Sequence, residues 1–255
     1  MSGDHTGTPA AGRPWKLSCV IIAFGLILTV VVSLFLPKVR GARWSAWRSV
    51  TQNNLKEIGA GLHAYHDEHG VLPHLPSDIL DPSSSESAPI QSWLVGLLPH
   101  LGRADLSRRY DRTLAYTDPM NLAVVGVVVD GFLCPDSECR DRTTEGGFGL
   151  AHLAGNVHLL GKDGPPTLGA VTDGVGNTLL AGQLGSFPRP WADPSNLRSP
   201  SAGIGTSPRQ FGGSIGGGTM VFCDGTTSFV SESIDPAVLA ALGTPDGGED
   251  VSGGF

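Results

Sequence analysis

Positive charge is scarce in most of this 255-residue chain. Residues 70–255 carry ten Lys and Arg side chains against twenty Asp and Glu, a net charge of −10, whereas residues 1–69 have a net charge of +3. Proteins that bind nucleic acids neutralise phosphates with clustered Lys and Arg side chains. We therefore expect no nucleic-acid partner for this protein.

Cysteine is also rare, with four in the whole chain. Cys19 lies in an apolar run and Cys223 in an apolar strand pattern, whereas Cys134 and Cys139 are close together in sequence. A zinc site needs two more ligands at suitable spacing, and the sequence offers none near this pair. A disulfide between Cys134 and Cys139 is compatible with a domain outside the cytoplasm, and the sequence alone leaves it open.

Two common cofactor motifs are missing, since the chain has neither a Walker-type phosphate loop nor a dinucleotide-binding fingerprint. The run GGSIG at residues 212–216 matches the G-x-S-x-G pattern of serine hydrolases. That chemistry requires a strand-to-helix turn, whereas the residues that follow have a strand pattern. In a chain with 36 glycines such a match is expected by chance. We therefore predict a non-catalytic protein with no catalytic residue and no bound cofactor.

A long charge-free run is present at residues 17–36 and reads LSCVIIAFGLILTVVVSLFL. Twenty helical residues rise roughly 30 Å, the thickness of the hydrocarbon core of a bilayer. We therefore predict a single transmembrane helix over 17–36, in contact with membrane lipid, after a disordered leader over 1–16. The run is longer than the core of a signal peptide, and no cleavage site follows it directly, which favours a retained anchor.

The helical pattern continues beyond this run as an amphipathic extension over 37–70. Its apolar residues recur at near-helical spacing on one face: Val50, Leu55, Ile58, Leu62 and Tyr65. Pro37 and Gly41 are where a kink would lie, and Gly70 suits a helix end. Trp44 and Trp47 suit either the headgroup zone of a membrane or a helix-packing surface in an assembly, and we favour the first.

The rest of the chain predicts an α+β domain over 71–243 with an antiparallel β-sheet, followed by a flexible tail over 244–255. Ser92 and Asp235 precede short apolar segments and suit helix N-caps. Pro236, directly after Asp235, suits the first position of a helix.

Strands are predicted in four places: 127–133, 156–160, within 172–183, and the hairpin 219–233. Asp224–Gly225 is a favoured turn pair for that hairpin. Residues 185–217 are rich in Pro, Ser and Gly and predict a surface excursion.

A metal site is one alternative interpretation of the end of the long helix. The side chains in question are His63, His66, Asp67 and His69, with His74 and His100 able to join only if folding brings them near. Residues three and four apart share a helix face, so His63 with His66 or Asp67 is able to hold a metal. A polar helix end is the simpler interpretation, and we assign no metal ligand.

An acidic loop offers a second metal hypothesis, since Asp136, Glu138 and Asp141 supply the oxygen ligands that calcium prefers. Their spacing fits no defined calcium loop. We therefore favour a solvated acidic loop.

Several segments, all in the same order, resemble one bacterial family. They are TQNNLKEIGAGLHAYHDEHGVLP, SWLVGLLPHL, FLCPDSE, VTDGVGNTLLAGQ, FCDGTTSFVSESIDPAVLAAL and TPDGGE, which lie between Gln52 and Glu249. The family is domain-of-unknown-function family 1559, which is also labelled solute-binding-like. Its members resemble pilins and type II secretion pseudopilins at the N-terminus. The resemblance therefore implies a pilin-like architecture with an exported C-terminal domain, and no established activity.

Two features depart from the family pattern. Gly12 and nearby basic residues resemble a prepilin peptidase site, but no acidic residue follows just inside the apolar run. Ser214 stands where the family has a histidine before the pair Asp224–Gly225. The resemblance therefore extends neither to a complete prepilin peptidase site nor to the function of that histidine.

Two functions follow as hypotheses. The first is a single-pass, pseudopilin-like protein of the bacterial cytoplasmic membrane, with a structural role at the cell envelope and with itself or other pilin-like proteins as partners. The second is a membrane-tethered module that binds a small solute or calcium, which a deep pocket would favour. The basic residues after the anchor, from Lys38 to Arg48, predict a cytoplasmic C-terminal domain, whereas the resemblance predicts an extracytoplasmic one, which we adopt.

Overall fold

The computed structural model describes residues 14–73, 91–137, 139–161, 167–213 and 215–249. Within these ranges the side chains of 14–19 and 30–43 lie outside the description. The chain divides into two compact units, 1–45 and 46–255, and a long helix α1, Pro14–His69, contributes residues to both.

The first unit contains the N-terminal part of α1. The large apolar side chains described there, from Val20 to Leu28, are 53–68% exposed. Residues 1–13 of the predicted leader lie outside the description, as do many side chains of the predicted span 17–36. Within the described residues, no helix has both the length and the apolar character needed to cross a membrane.

The C-terminal part of α1 belongs to the second unit and carries the predicted apolar stripe. Leu55, Ile58 and Leu62 are buried, whereas Val50 is 44% exposed. The stripe was therefore predicted correctly except at its first residue, because Val50 faces an open cavity described below. The helix ends as expected, since Gly70 has a φ of +73° and donates a hydrogen bond to the His66 carbonyl at 2.7 Å.

Within the described residues, the main sheet has five strands in the order β5-β2-β3-β6-β7. The strands described are β1 Leu150–Ala151, β2 Leu153–Asn156, β3 Leu179–Gln183, β4 Arg189–Pro190, β5 Leu197–Arg198, β6 Gly217–Phe222 and β7 Thr227–Ser231. The β2–β5 pair is parallel and the other pairs of this sheet are antiparallel, while β1 and β4 form a separate antiparallel pair. The α+β class with an antiparallel sheet is confirmed, with one parallel pair at an edge.

Four of the five short helices that the structure describes begin where a polar side chain accepts a hydrogen bond from a free backbone N–H group, and the one at Ala104–Arg109 begins without such a cap. They are α2 Trp93–Leu97, α3 Ala104–Arg109, α4 Pro119–Val125, α5 Val157–Leu160 and α6 Pro236–Ala241. Ser92 accepts a hydrogen bond from the Leu94 N–H at 3.3 Å, and Asp235 accepts one from Ala237 at 2.7 Å. Both predicted caps are confirmed.

Two of the predicted strands are wrong, the first because carbonyls of that segment bind the Asn54 amide of α1 and the second because an N-cap starts a helical turn. The Asp118 side chain caps α4, whose last residue is Val125, and the predicted strand 127–133 is instead a loop with a 3₁₀ turn at Asp130–Phe132. The strand predicted over 156–160 is one helical turn, α5, capped by Asn156.

The predicted surface excursion 185–217 is also wrong in part. Trp191 and Phe211 are buried, and the Trp191 indole donates a hydrogen bond to the Val127 carbonyl at 3.0 Å. Large aromatic side chains therefore fix this Gly- and Pro-rich segment to the core.

Residues of the predicted tail are attached to the domain up to Glu249. The Asp173 carboxylate accepts hydrogen bonds from the N–H groups of Gly247 at 2.8 Å and Gly248 at 2.9 Å. Residues 250–255 lie outside the description.

A core lies on each face of the sheet. Successive side chains of a strand point to opposite sides, so one strand contributes to both cores. Val221 of β6 joins the larger core, which includes the apolar stripe of α1 and Trp191. Met220 and Phe222 join a smaller core, which α6 covers with Leu239 and Leu242. The second half of α1 is therefore a core element of the domain.

Candidate functional site

A cavity of about 590 Å³ lies between α1 and the loop 130–142. Its lining residues are Val50, Asn54, Glu57, Asp130, Gly131, Leu133, Cys134, Pro135, Cys139, Arg140, Arg142 and His152. This volume falls within the range of small-molecule sites.

One face of α1 forms a wall of this cavity. Val50, Asn54 and Glu57 follow at i, i+4 and i+7, which places them on one side of a helix. The Asn54 amide donates to two loop carbonyls, Asp130 at 3.1 Å and Leu133 at 2.8 Å, so the loop is fixed to the helix. Sequence reasoning missed Asn54 and Glu57, although their helical spacing from Val50 is a signal that was present.

The two arginines of the cavity are already engaged. Arg142 forms an ion pair with the Asp130 carboxylate. Arg140 donates to the Pro135 carbonyl at 2.8 Å, and its guanidinium lies 5.1 Å from the ring centre of Trp47. Trp47 is thus a packing partner of the loop.

His152 forms the buried end of the cavity as a neutral imidazole. Its Nδ1 accepts a hydrogen bond from the Cys134 N–H at 3.4 Å, and its Nε2 lies 2.6 Å from the Asp141 carbonyl, to which it donates. Burial lowers the pKa of His152 below its ordinary value of 6.5. The ring therefore serves to position the loop at neutral pH.

The two thiols of the cavity are both free, so the disulfide left open by the sequence is not formed here. Burial raises the pKa of the Cys134 thiol well above its ordinary value, and the Asp136 carboxylate adds to this rise. Burial also raises the pKa of Cys139. Both thiols are therefore protonated at neutral pH and are poor nucleophiles.

A buried polar centre holds the base of the loop against α1 and the sheet. The Asp136 carboxylate accepts hydrogen bonds from the Thr51 hydroxyl and, at 2.7 Å, from the Gln183 amide. Gln183 in turn accepts from the Thr219 N–H at 3.1 Å. These contacts join α1, the loop, β3 and β6 through fully buried groups.

This arrangement separates the carboxylates of the calcium hypothesis, and the favoured interpretation, a solvated acidic loop, is wrong at the buried Asp136. Asp136 is buried among protein donors, whereas Asp141 is exposed, and Glu138 lies outside the described residues. Calcium ligands share one ion, so these two carboxylates do not form such a site.

The histidines weighed above as metal ligands have different surroundings. His66 accepts a hydrogen bond from the Leu168 N–H at 3.4 Å, and His63 lies beside Gly225. His69 instead lies near His100 and Glu68, with one ligand atom of each within 4.8 Å of the others. Folding therefore brings His100 close to His69, a contact that the sequence left open. His74 lies outside the description.

The pair Asp224–Gly225 forms the predicted hairpin turn and contacts α1. The Asp224 carboxylate accepts hydrogen bonds from the N–H and the hydroxyl of Thr226, at 2.8 and 2.7 Å, and Gly225 has a φ of +82°. A Cβ at Gly59 would lie only 3.1 Å from the Gly225 Cα. The turn therefore has a packing role against the helix.

The G-x-S-x-G match shows no hydrolase geometry in the part that is described. Ser214 lies outside the description, and Gly217 starts strand β6 where a hydrolase would have a helix.

Comparisons with known proteins identify the family. The sequence model of a family described as protein of unknown function DUF1559 matches residues 40–207, which is 168 of the 255 residues. The chain belongs to this family. The DUF1559 match starts within α1 and includes every lining residue of the cavity. No curated protein and no solved structure matches the chain.

Proposed function

We propose that this DUF1559 protein is a non-catalytic, single-pass membrane protein of pilin-like architecture, with a structural or protein-interaction role at the cell envelope. The observation that supports the proposal is the division of α1. One part exposes large apolar side chains from Val20 to Leu28, and the other part buries Leu55, Ile58 and Leu62 in the domain core.

Lipid is the partner that fits the exposed part. Residues 17–36 contain no charged side chain, and a helix of this length matches a bilayer core. An apolar helix surface of this kind is costly to leave in water. Other copies of this chain, or other pilin-like proteins, fit the same surface within the membrane.

Membrane association is tested by extracting membranes with alkaline carbonate and following the chain in the pellet. An arginine near the centre of a membrane helix costs about 2.5–3.5 kcal/mol on insertion scales, so Leu26→Arg is expected to move protein from the pellet to the supernatant. Met120→Arg is the matched control, because Met120 is 72% exposed in the second unit. A wild-type chain that appears entirely in the supernatant would disprove the anchor.

Topology is tested by fusing alkaline phosphatase, and separately a fluorescent protein that matures poorly outside the cytoplasm, after Phe255. We expect phosphatase activity without fluorescence, which corresponds to an extracytoplasmic domain. The opposite result would mean that the basic residues from Lys38 to Arg48 set the orientation. It would reject the pilin-like part of the proposal while leaving the anchor in place.

Capture of a small solute is the second candidate function, and the cavity of about 590 Å³ favours it. It ranks second because Asp130 and both arginines already have partners in the cavity wall. The test is a thermal-shift screen of the full chain with sugars, amino acids and calcium chloride. A solute that binds in the cavity is expected to raise the melting temperature of the wild type more than that of Glu57→Leu, and no shift with any compound would reject this function.

A further inference from the structure

The end of α1 and the 3₁₀ turn at Pro99–Leu101 bring together Glu68, His69 and His100. One ligand atom from each lies within 4.8 Å of the other two, and the His100 Nε2 is 3.6 Å from the Glu68 Oε2. Two imidazoles and a carboxylate are the donor set of many zinc sites with three protein ligands.

Close packing at Gly61 places His100 beside the last turns of the helix. A Cβ at Gly61 would lie 2.8 Å from the Leu101 Cδ2 and 3.8 Å from the His100 Cβ. The missing side chain therefore lets the turn approach α1. The Leu101 and His100 side chains make this contact, and it holds His100 beside α1.

His69 is held in the tautomer that a metal ligand needs. Its Nδ1 lies 3.0 Å from the Tyr65 carbonyl oxygen, which only accepts hydrogen bonds, so Nδ1 carries the proton. The lone pair is then on Nε2. A hydrogen bond from the second ring nitrogen to a backbone carbonyl is the usual support of a metal-binding histidine.

Aromatic packing orients both imidazoles. The His69 ring stacks on Tyr65 with centroids 4.1 Å apart and an interplanar angle of 13°. His100 meets Tyr65 edge-on at 5.8 Å and His69 edge-on at 6.2 Å. The rings are therefore arranged before any ligand arrives, which reduces the entropy lost on binding.

Electrostatics at this place favour a cation. The C-terminus of α1 carries the negative end of the helix dipole, and Glu68 adds a formal negative charge next to it. We propose that Glu68, His69 and His100 form a binding site for a divalent transition metal of the zinc type, with water at the remaining position. This site is independent of membrane anchoring and of the cavity.

The observed geometry needs little adjustment to hold one ion. A tetrahedral zinc ion with bonds of about 2.0–2.2 Å holds two of its ligand atoms roughly 3.4 Å apart. The Glu68 side chain is 66% exposed, so its carboxylate is free to rotate towards an ion held by the two imidazoles. Calcium does not fit this donor set, because it takes oxygen ligands in larger number.

The test is titration calorimetry of the full chain in detergent with Zn²⁺ alone, after treatment with a chelator and with a purification tag that contains no histidine. We expect one Zn²⁺ per chain, and at least tenfold weaker binding for His69→Ala and for His100→Ala. Cobalt in place of zinc is expected to give the intense visible bands of tetrahedral coordination.

A matched pair of carboxylate variants distinguishes a loss of Zn²⁺ binding from a loss of folding. The side chains of Glu68 and Asp67 are 66% and 84% exposed, so neither Glu68→Gln nor Asp67→Asn disturbs the core. Glu68→Gln is expected to weaken Zn²⁺ binding about tenfold, and Asp67→Asn to leave it unchanged. Absence of binding in the wild type, or equal effects of the two variants, would overturn the site.

Discussion

The two parts of α1 contain similar apolar residues but differ in whether those side chains are buried. In the first unit the described side chains from Val20 to Leu28 are exposed, whereas Leu55, Ile58 and Leu62 in the second unit are buried. The first part has apolar residues at consecutive positions, and the second part has them at helical spacing with polar residues between. A helix that is apolar on all sides is stabilised by burial on all sides, whereas a helix with one apolar stripe is stabilised by burial of that side alone.

The largest difference is expected for leucine truncation. Leu62→Ala creates a cavity in the core and should lower the free energy of unfolding of the domain by about 3 kcal/mol. Leu26→Ala removes a side chain that is 62% exposed and should change it by less than about 0.5 kcal/mol. Denaturant unfolding followed by tryptophan fluorescence measures both, and equal losses would show that the two parts share one core.

Two threonine substitutions in α1 compare the stability contributed by a long-range hydrogen bond with that of a hydrogen bond within the helix. Thr51→Val removes a buried donor to Asp136, and we expect a loss of about 2 kcal/mol because the carboxylate is left with Gln183. Thr29 donates only within the helix, to the Gly25 carbonyl at 2.8 Å, so Thr29→Val should lie within about 0.5 kcal/mol of the wild type. The same denaturation curves measure the pair, and a neutral Thr51→Val would mean that the buried centre does not depend on α1.

Replacing two glycines of α1 by alanine should have effects of opposite sign, one destabilising and one favourable. Gly59→Ala places a Cβ 3.0 Å from the Val221 side chain and 3.1 Å from the Gly225 backbone, which should destabilise the domain by about 1 kcal/mol. Nothing lies within 4 Å of the corresponding Cβ at Gly25, so Gly25→Ala should add helix propensity without a clash. Melting temperatures give the first effect and far-ultraviolet circular dichroism the second. A stabilised Gly59→Ala would disprove the close contact.

The smallest expected effect is that of His152 on how the free energy of unfolding depends on pH. The described side chains of the first unit include no titratable group, whereas His152 is buried in the second with a lowered pKa. The unfolded state then binds the proton more tightly, so His152 contributes stability that is lost as the pH falls below 6.5. His152→Gln should flatten the decline of unfolding free energy below that pH. A variant with the wild-type slope would show that other groups cause the decline.

Features encoded by neighbouring residues were predictable from the sequence. The end of α1 at Gly70, the caps Ser92 and Asp235, and the Asp224–Gly225 hairpin all depend on contacts within a few residues. The wrong strand at 127–133 shows the limit of this reasoning, since the Asp130 and Leu133 carbonyls bind the amide of Asn54, which is distant in sequence.

Contacts between distant residues were not predictable. The burial of Trp191 depends on Val127, and the approach of His100 to His69 depends on Leu101 packing at Gly61. No periodicity within either segment encodes such a contact. The cavity and the histidine cluster therefore required the three-dimensional structure.

The packing of Gly59 against the β6–β7 turn also has a consequence for synthesis. The ribosome releases the second part of α1 about 160 residues before Val221 and Gly225, which at about 5–20 residues per second is a delay of roughly 10–30 s. During that interval the stripe of Leu55, Ile58 and Leu62 lacks its final partner and is open to non-native contacts. The yield of folded protein will therefore depend on how fast the last hairpin is made and on chaperones that cover the helix until then.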